Sequence, residues 1–186
     1  QNDERKANKY LSDFSSLMRA VLENSKHDFV PVVSEIGVLK LYLKLEHFRF
    51  QDKFDYDMDI DGSIDQSDIE IPPMLIQPYI ENAIWHGLRY KEDKGFLKVK
   101  ISKEGDSINA VVTDNGIGRK KSREMKTKHQ KAGNATGLKN TENRLKIINE
   151  MYKTRFTVTI EDLDKDKGTG TIVRINIPVS DGGKIR

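Results

Sequence analysis

Two segments restrict this chain more than any other feature: Ile71-Pro72-Pro73-Met74-Leu75-Ile76-Gln77-Pro78-Tyr79-Ile80-Glu81-Asn82-Ala83-Ile84-Trp85-His86-Gly87 and, further along, Thr113-Asp114-Asn115-Gly116-Ile117-Gly118. The first reads as a helix opened by prolines, whose missing N–H would be unpaired in a first turn anyway. Asn82 then falls among apolar residues. A buried amide needs a partner, and a hydrated magnesium ion on a polyphosphate is one that an asparagine oxygen can serve. In the second segment a Val- and Thr-rich strand runs into an aspartate and a Gly-x-Gly turn. The Asp114 carboxylate can accept an exocyclic amine, while Gly116 and Gly118 let backbone approach a flat ring. Together the two segments predict a nucleotide pocket.

Asp-Asn-Gly-Ile-Gly alone is equally compatible with an ordinary tight turn. The ordered set is more restrictive, because Thr136-Gly137-Leu138-Lys139-Asn140-Thr141-Glu142-Asn143-Arg144-Leu145 and Gly168-Thr169-Gly170-Thr171-Ile172-Val173-Arg174-Ile175-Asn176-Ile177-Pro178 follow in turn. With these motifs the chain resembles, over essentially its whole length, the GHKL superfamily of ATP-binding domains. Within it, the wording Pro-Pro-Met-Leu-Ile-Gln-Pro-Tyr-Ile-Glu-Asn-Ala-x-x-His-Gly and Gly-Leu-x-Asn-x-x-x-Arg-Leu is similar to bacterial sensor histidine kinases of the autolysin-regulator class. The resemblance implies an α+β fold: an N-terminal helical hairpin, then a Bergerat-type α/β sandwich with a mixed, largely antiparallel sheet. It divides the chain into partial dimerisation helices at 1–52 and an ATP-binding catalytic domain at 53–186.

Composition excludes several alternatives. The chain has no cysteine, which removes disulfide and Cys-zinc frameworks and fits a reducing cytoplasmic setting. No stretch approaches the roughly 20 apolar residues of a bilayer span. The chain begins Gln1-Asn2-Asp3, which reads as an excised piece of something longer, with any membrane anchor upstream. The 32 basic and 29 acidic residues, net +3, are interleaved as on a solvated surface, and nucleic-acid binding has little support. The basic cluster Arg119 to Lys131 lacks the interleaved aromatics that stack on bases. Between the glycine motifs it reads as a mobile cationic loop placed to cover a triphosphate, as the family's ATP lid does.

Periodicity supplies the elements. Tyr10, Phe14, Leu17 and Val21, with Leu11, Met18 and Leu22 alongside, have helical spacing. Two readings stand: a helix packed on its own domain, or one in an intermolecular bundle, since the family dimerises through its N-terminal helices. A second helix opens at Ser34-Glu35 and ends near Gln51. Phe54 to Ile60 alternates as a half-buried strand. Strands are predicted over 96–102, 107–113, 155–161 and 171–178, a helix over 139–152, and a charged hairpin loop over 162–168.

Asn82 is the predicted magnesium contact. His86, one helical turn on, shares its face and either touches phosphate or hydrogen-bonds as a core histidine. Glu81 points about 100° away, so it orders the site rather than sharing the ion. ATP-hydrolysing relatives carry a glutamate one turn before the asparagine to activate water; here that place is Pro78, which cannot be a base, so little hydrolysis is expected. Thr171 completes the adenine end through its hydroxyl or a bound water, or is simply a β-branched strand residue. Gly137 and Leu138 precede a helix whose amides and positive end would hold phosphate oxygens. Asn140 and Arg144 either contact phosphate or cap and pair on that helix.

The family's phosphoacceptor lies in an Asn-Pro-His-Phe-Leu-Phe-Asn-like segment, and none of His27, His47, His86 and His129 has that context. Tyr10 to Asn24 resembles the stretch just downstream of it. The resemblance therefore implies the ATP and Mg2+ site of a two-component kinase: the acceptor histidine upstream, a homodimer through the N-terminal helices, a response regulator receiver domain as partner, and a membrane-anchored full-length protein. A related serine kinase and a non-catalytic nucleotide-sensing module are the rivals. The N-terminal helices and the Gln-Pro-Tyr-Ile-Glu-Asn-Ala wording oppose the first; an upstream acceptor histidine would oppose the second.

Overall fold

Alternating side chains build the sheet on which everything else rests. The structure, a computed structural model, describes residues 2–50, 53–62, 64, 69–129 and 136–179. Its five-stranded sheet has the order β2-β4-β5-β7-β6, from β2 (Phe54–Ile60), β4 (Gly95–Glu104), β5 (Ser107–Asp114), β6 (Thr157–Asp164) and β7 (Thr169–Pro178). The β2–β4 pair is parallel, Phe54 opposite Gly95 and Ile60 opposite Ile101, and the other pairings are antiparallel. The sheet is thus mixed and largely antiparallel, as expected.

Period 2 decides which residues face inward. On β4 these are Leu97, Val99 and Ile101; on β5, Ile108, Ala110 and Val112; on β7, Val173, Ile175 and Ile177, all buried. Asp114 continues the β5 row, so the pleat that buries Val112 also carries its carboxyl inside, 2% exposed. Thr171 lies directly opposite it in the register.

One face of the sheet is covered by α2 (Val32–Arg49), α3 (Gln77–Asn82) and α5 (Thr136–Tyr152), whose Leu39, Leu43, Ile80 and Leu145 join the strand residues in one hydrophobic core. α1 (Asn2–Asn24) packs on α2 and adds Leu17 to that core. Its apolar residues divide between two sides. Leu17 is buried, whereas Leu11, Phe14, Met18 and Leu22 are 59%, 45%, 43% and 58% exposed. α1 is therefore packed on its own domain and still carries an uncovered apolar stripe. Among the described residues, no helix is long and apolar enough to cross a membrane.

Several local expectations change. α2 begins at Val32, and Glu35 sits in its first turn fully buried instead of opening the helix. A two-stranded ribbon, β1 (Val30–Pro31) with β3 (Glu70–Ile71), joins the start of α2 to the segment before α3. β6 runs through Asp164, because Asp162 and Asp164 pair with Thr171 and Thr169, so the hairpin turn is shorter than predicted. The basic stretch expected as a loop forms a helix, α4 (Gly118–His129). Lysine, arginine and glutamate make up most of it, and these are good helix formers that need no buried face.

Candidate functional site

The helix bearing Asn82 changes character at that residue. α3 starts at Gln77 with Pro78 in its first turn, while Pro72 and Pro73 lie ahead of the helix. From Ala83 to Gly87 the turn widens to π geometry, the Leu88 N–H reaching the Ala83 carbonyl, and a 3-10 turn follows over Leu88–Tyr90. π turns concentrate at functional sites because the wider turn re-aims side chains.

Two supports on α2 hold this segment. The Glu35 carboxylate accepts the Met74 N–H at 3.0 Å, with the Leu75 and Ile76 amides also directed at it. Met74 has φ 57°, a left-handed conformation uncommon for methionine. Burial pushes the Glu35 pKa up, and those three amides oppose the shift. At the other end, the Trp85 ring lies 4.6 Å from the Arg49 guanidinium carbon, 5.2 Å from that of Arg89, and edge-on to Phe50 at 5.0 Å.

A cavity of about 490 Å3 opens between α3, α4 and the ends of β5 and β7. Five predicted site residues stand on its wall: Asn82, His86, Asp114, Gly118 and Thr171. Asn82 Nδ2 donates to the Pro78 carbonyl at 2.7 Å. That local bond fixes the amide's orientation and leaves the oxygen as its remaining polar atom. Asp114 Oδ1 accepts the Gly116 N–H at 2.8 Å, and the Thr171 hydroxyl donates to Oδ2. Burial raises the Asp114 pKa; the bonds from Thr171 and Gly116 pull it back. The Thr171 N–H is also directed at the carboxylate, so three of its four lone pairs are engaged and one remains for an incoming donor.

The glycines act mainly on one another. A Cβ on Gly116 would lie 2.6 Å from the Gly87 Cα, and one on Gly118, at φ 80°, would lie 1.9 Å from the Gly168 carbonyl oxygen. The Gly170 N–H donates to the Gly116 carbonyl at 2.9 Å. Three chain segments are fused backbone to backbone at the base of the cavity. Gly118 also contributes to its wall; Gly116 is spent on contact with Gly87.

The other predicted residues are placed differently. Glu81 accepts from Gln77 Nε2 at 3.0 Å, and its charge acts on Tyr42 and Glu46 of α2, so it faces away from the cavity. Asn140 is exposed, and Arg144 lies where its charge reaches Glu35; neither is on the described wall. Gly137 and Leu138 fall within the first turn of α5 instead of before it, and their side chains lie outside the described residues, as does the basic stretch beyond His129.

Sequence reasoning did not single out Tyr79 or Glu142, and it took Arg119, Ser122 and Arg123 only as part of the basic cluster; all five line the cavity. Spacing held the signal for three of them, since Arg119, Ser122 and Arg123 share one face of α4. Arg119 forms a forked pair with Asp162, Nε to Oδ1 at 2.7 Å and Nη2 to Oδ2 at 3.1 Å, which pins α4 to the end of β6 and holds the Asp162 pKa down. Of the other histidines, His27 lies 3.8 Å from Glu23 and His47 meets Phe54 and Tyr56 edge-on. Among the described residues no group of three His, Cys, Asp or Glu could hold a metal.

Known proteins share this design. A family model of histidine kinases matches residues 1–54. The sensor protein LytS of Oceanobacillus iheyensis is 37% identical over 116 residues, 62% of this chain and 20% of that protein. The sensor histidine kinase YpdA of Escherichia coli is 30% identical over 143 residues, 76% of this chain and 25% of its own length. The chain thus spans a fifth to a quarter of these relatives. The histidine kinase domain of the Erythrobacter litoralis blue-light activated kinase superposes with a TM-score of 0.54 at 15% identity, covering 91% of this chain and 74% of that one, a likeness of fold. The matched N-terminal helices and the sensor-kinase relatives agree, and the chain is similar to sensor histidine kinases and shares the fold of their catalytic domains.

Proposed function

We propose that residues 53–186 are the ATP-binding catalytic part of a two-component sensor histidine kinase and residues 1–52 part of its dimerisation helices. In the full-length protein the ATP γ-phosphoryl group would pass to a histidine upstream of this sequence and then to an aspartate of a response regulator. The observation that carries this reading is a cavity bordered by Asn82 on one side and the Asp114–Thr171 pair on the other. The match over 1–54 supports the partition, although α1 and α2 share the core of the sheet.

In this reading Asp114 accepts the adenine amino group through Oδ2, and the Thr171 hydroxyl, bonded to the same oxygen, fixes the carboxylate's orientation. Gly118 lets backbone form the wall beside the ring. Arg119 and Arg123 line the cavity beside Asp162, and the first-turn amides of Gly137 and Leu138 would offer phosphate oxygens donors that an α-helix leaves unpaired. A bound magnesium ion would neutralise phosphate charge, and the Asn82 oxygen would be its protein ligand. His86 would touch phosphate; Glu81, through Gln77, would steady the start of α3. Pro78 leaves no base to activate water, which favours transfer to a protein acceptor over hydrolysis.

Calorimetry tests this directly. Magnesium-dependent binding of ATP or ADP is expected in the micromolar to sub-millimolar range. Asn82→Ala should remove most of the gain in affinity that magnesium confers on the parent, leaving magnesium-free binding close to parental. If the parent binds neither nucleotide, the reading fails.

The exposed stripe Leu11, Phe14, Met18 and Leu22 supports a homodimer through α1, since apolar residues at helical spacing on one uncovered face are what a bundle buries. Sedimentation of the parent should show self-association, and Leu11→Glu with Leu22→Glu should shift it to monomer with little change in unfolding midpoint. An unaltered association state in the double variant would locate the dimer contact elsewhere.

A further inference from the structure

One buried group on the cavity wall has no explanation in the folded chain itself. Tyr79 is 2% exposed, and its hydroxyl has no hydrogen-bond partner among the described residues. Such a group costs about 1–3 kcal/mol when left unsatisfied, and native proteins retain few of them without a reason. Phenylalanine would fill the same volume without that cost. Tyr79 lines the same cavity as Asn82, three residues later on the same helical face.

Its position along the cavity identifies what it meets. The wall follows the helix through Tyr79, Asn82, Ala83, His86 and Gly87, and a Cβ on Gly87 would lie 3.0 Å from Asp114 Oδ1. The Gly87 end is therefore the Asp114 end. Tyr79 stands eight residues back, about 12 Å along a helix at 1.5 Å per residue. A nucleotide whose base bonds Asp114 and whose phosphates extend past Asn82 would direct its last phosphate toward Tyr79. Burial and the Glu142 charge push the Tyr79 pKa up to about 12, so the phenol keeps its proton and can donate it in a hydrogen bond.

We propose that the Tyr79 hydroxyl is a specificity contact that donates to the terminal phosphate of a nucleoside triphosphate, so that the site distinguishes ATP from ADP. This rests on the nucleotide reading of the cavity. A hydrogen bond to a charged phosphate oxygen, made only by the triphosphate, is worth about tenfold in affinity.

The test is Tyr79→Phe, with calorimetric titration of Mg·ATP and Mg·ADP against parent and variant, and thermal unfolding of both without nucleotide. ATP affinity should fall about tenfold, ADP affinity should stay within about twofold, and the unliganded midpoint should be unchanged or higher. A purely structural hydroxyl would do the reverse, lowering the midpoint and leaving the ATP to ADP ratio alone. Equal losses for both nucleotides, or none, overturn the proposal. A parent that binds neither nucleotide removes the nucleotide reading first, and this inference with it; a parent that binds both while Tyr79→Phe preserves their ratio removes this inference alone.

Discussion

Asp114→Asn should weaken ATP and ADP by about thirtyfold or more while leaving the protein folded. The substituted side chain would keep a carbonyl oxygen for the Gly116 N–H, which Asp114 Oδ1 now accepts at 2.8 Å. Its amide nitrogen would then replace Oδ2, and the Thr171 hydroxyl, which can rotate, would turn from donor to acceptor. The bonds to the Gly116 N–H and the Thr171 hydroxyl survive that exchange. The ligand's amino group, however, would face N–H where it now faces a carboxylate, donor against donor at a buried position. Calorimetry with ATP, ADP and GTP measures the loss, and circular dichroism confirms the fold. Parental ATP affinity in a folded Asp114→Asn protein would exclude Asp114 from base recognition.

Gly118→Ala should destabilise the fold by about 2–4 kcal/mol and abolish measurable nucleotide binding. The added Cβ would be 1.9 Å from the Gly168 carbonyl oxygen, 2.9 Å from both the Gly168 carbonyl carbon and the Thr169 Cα, and it would sit on a backbone at φ 80°. All three atoms are backbone, so no side chain can swing away. The β6–β7 turn or the start of α4 would have to move, and α4 carries Arg119, Ser122 and Arg123 to the cavity. Gly105→Ala is the control. Gly105 has φ 56° but open space around its missing Cβ, so only the backbone cost of about 1 kcal/mol applies. Urea denaturation of the two variants separates strain from collision; equal losses would show that the close approach at Gly118 relaxes at little cost.

Much of the site was legible because its parts are local. The Val- and Thr-rich stretch over 107–113 was legible as a strand and Asp114 at its end as a site residue; the burial of Asp114 follows from the pleat once the inward row is known. The asparagine and histidine four residues apart belonged to one helical face, and both reach the cavity despite the intervening π turn. The α1 stripe was legible as apolar periodicity but not as two sides. Burial of Leu17 and exposure of Leu11 and Leu22 depend on where α2 lies.

By itself the sequence determined the main helices and strands and the order of nucleotide motifs, because helical and strand periodicities and glycine-rich turns are properties of neighbouring residues; α4 and the β1–β3 ribbon escaped it. Only the tertiary structure decided the parallel pairing of β2 with β4, the burial of Glu35 against the amides before α3, the clasp of Arg49 on Trp85, and the choice of Arg119 to pair with Asp162. It also decided that Gly116 serves the Gly87 backbone. Each of these joins residues far apart in the chain, and the free energy of such a contact depends on how the whole core closes. No local pattern records which distant backbone will leave no room for a Cβ, or which buried hydroxyl will be left without a partner among the described residues.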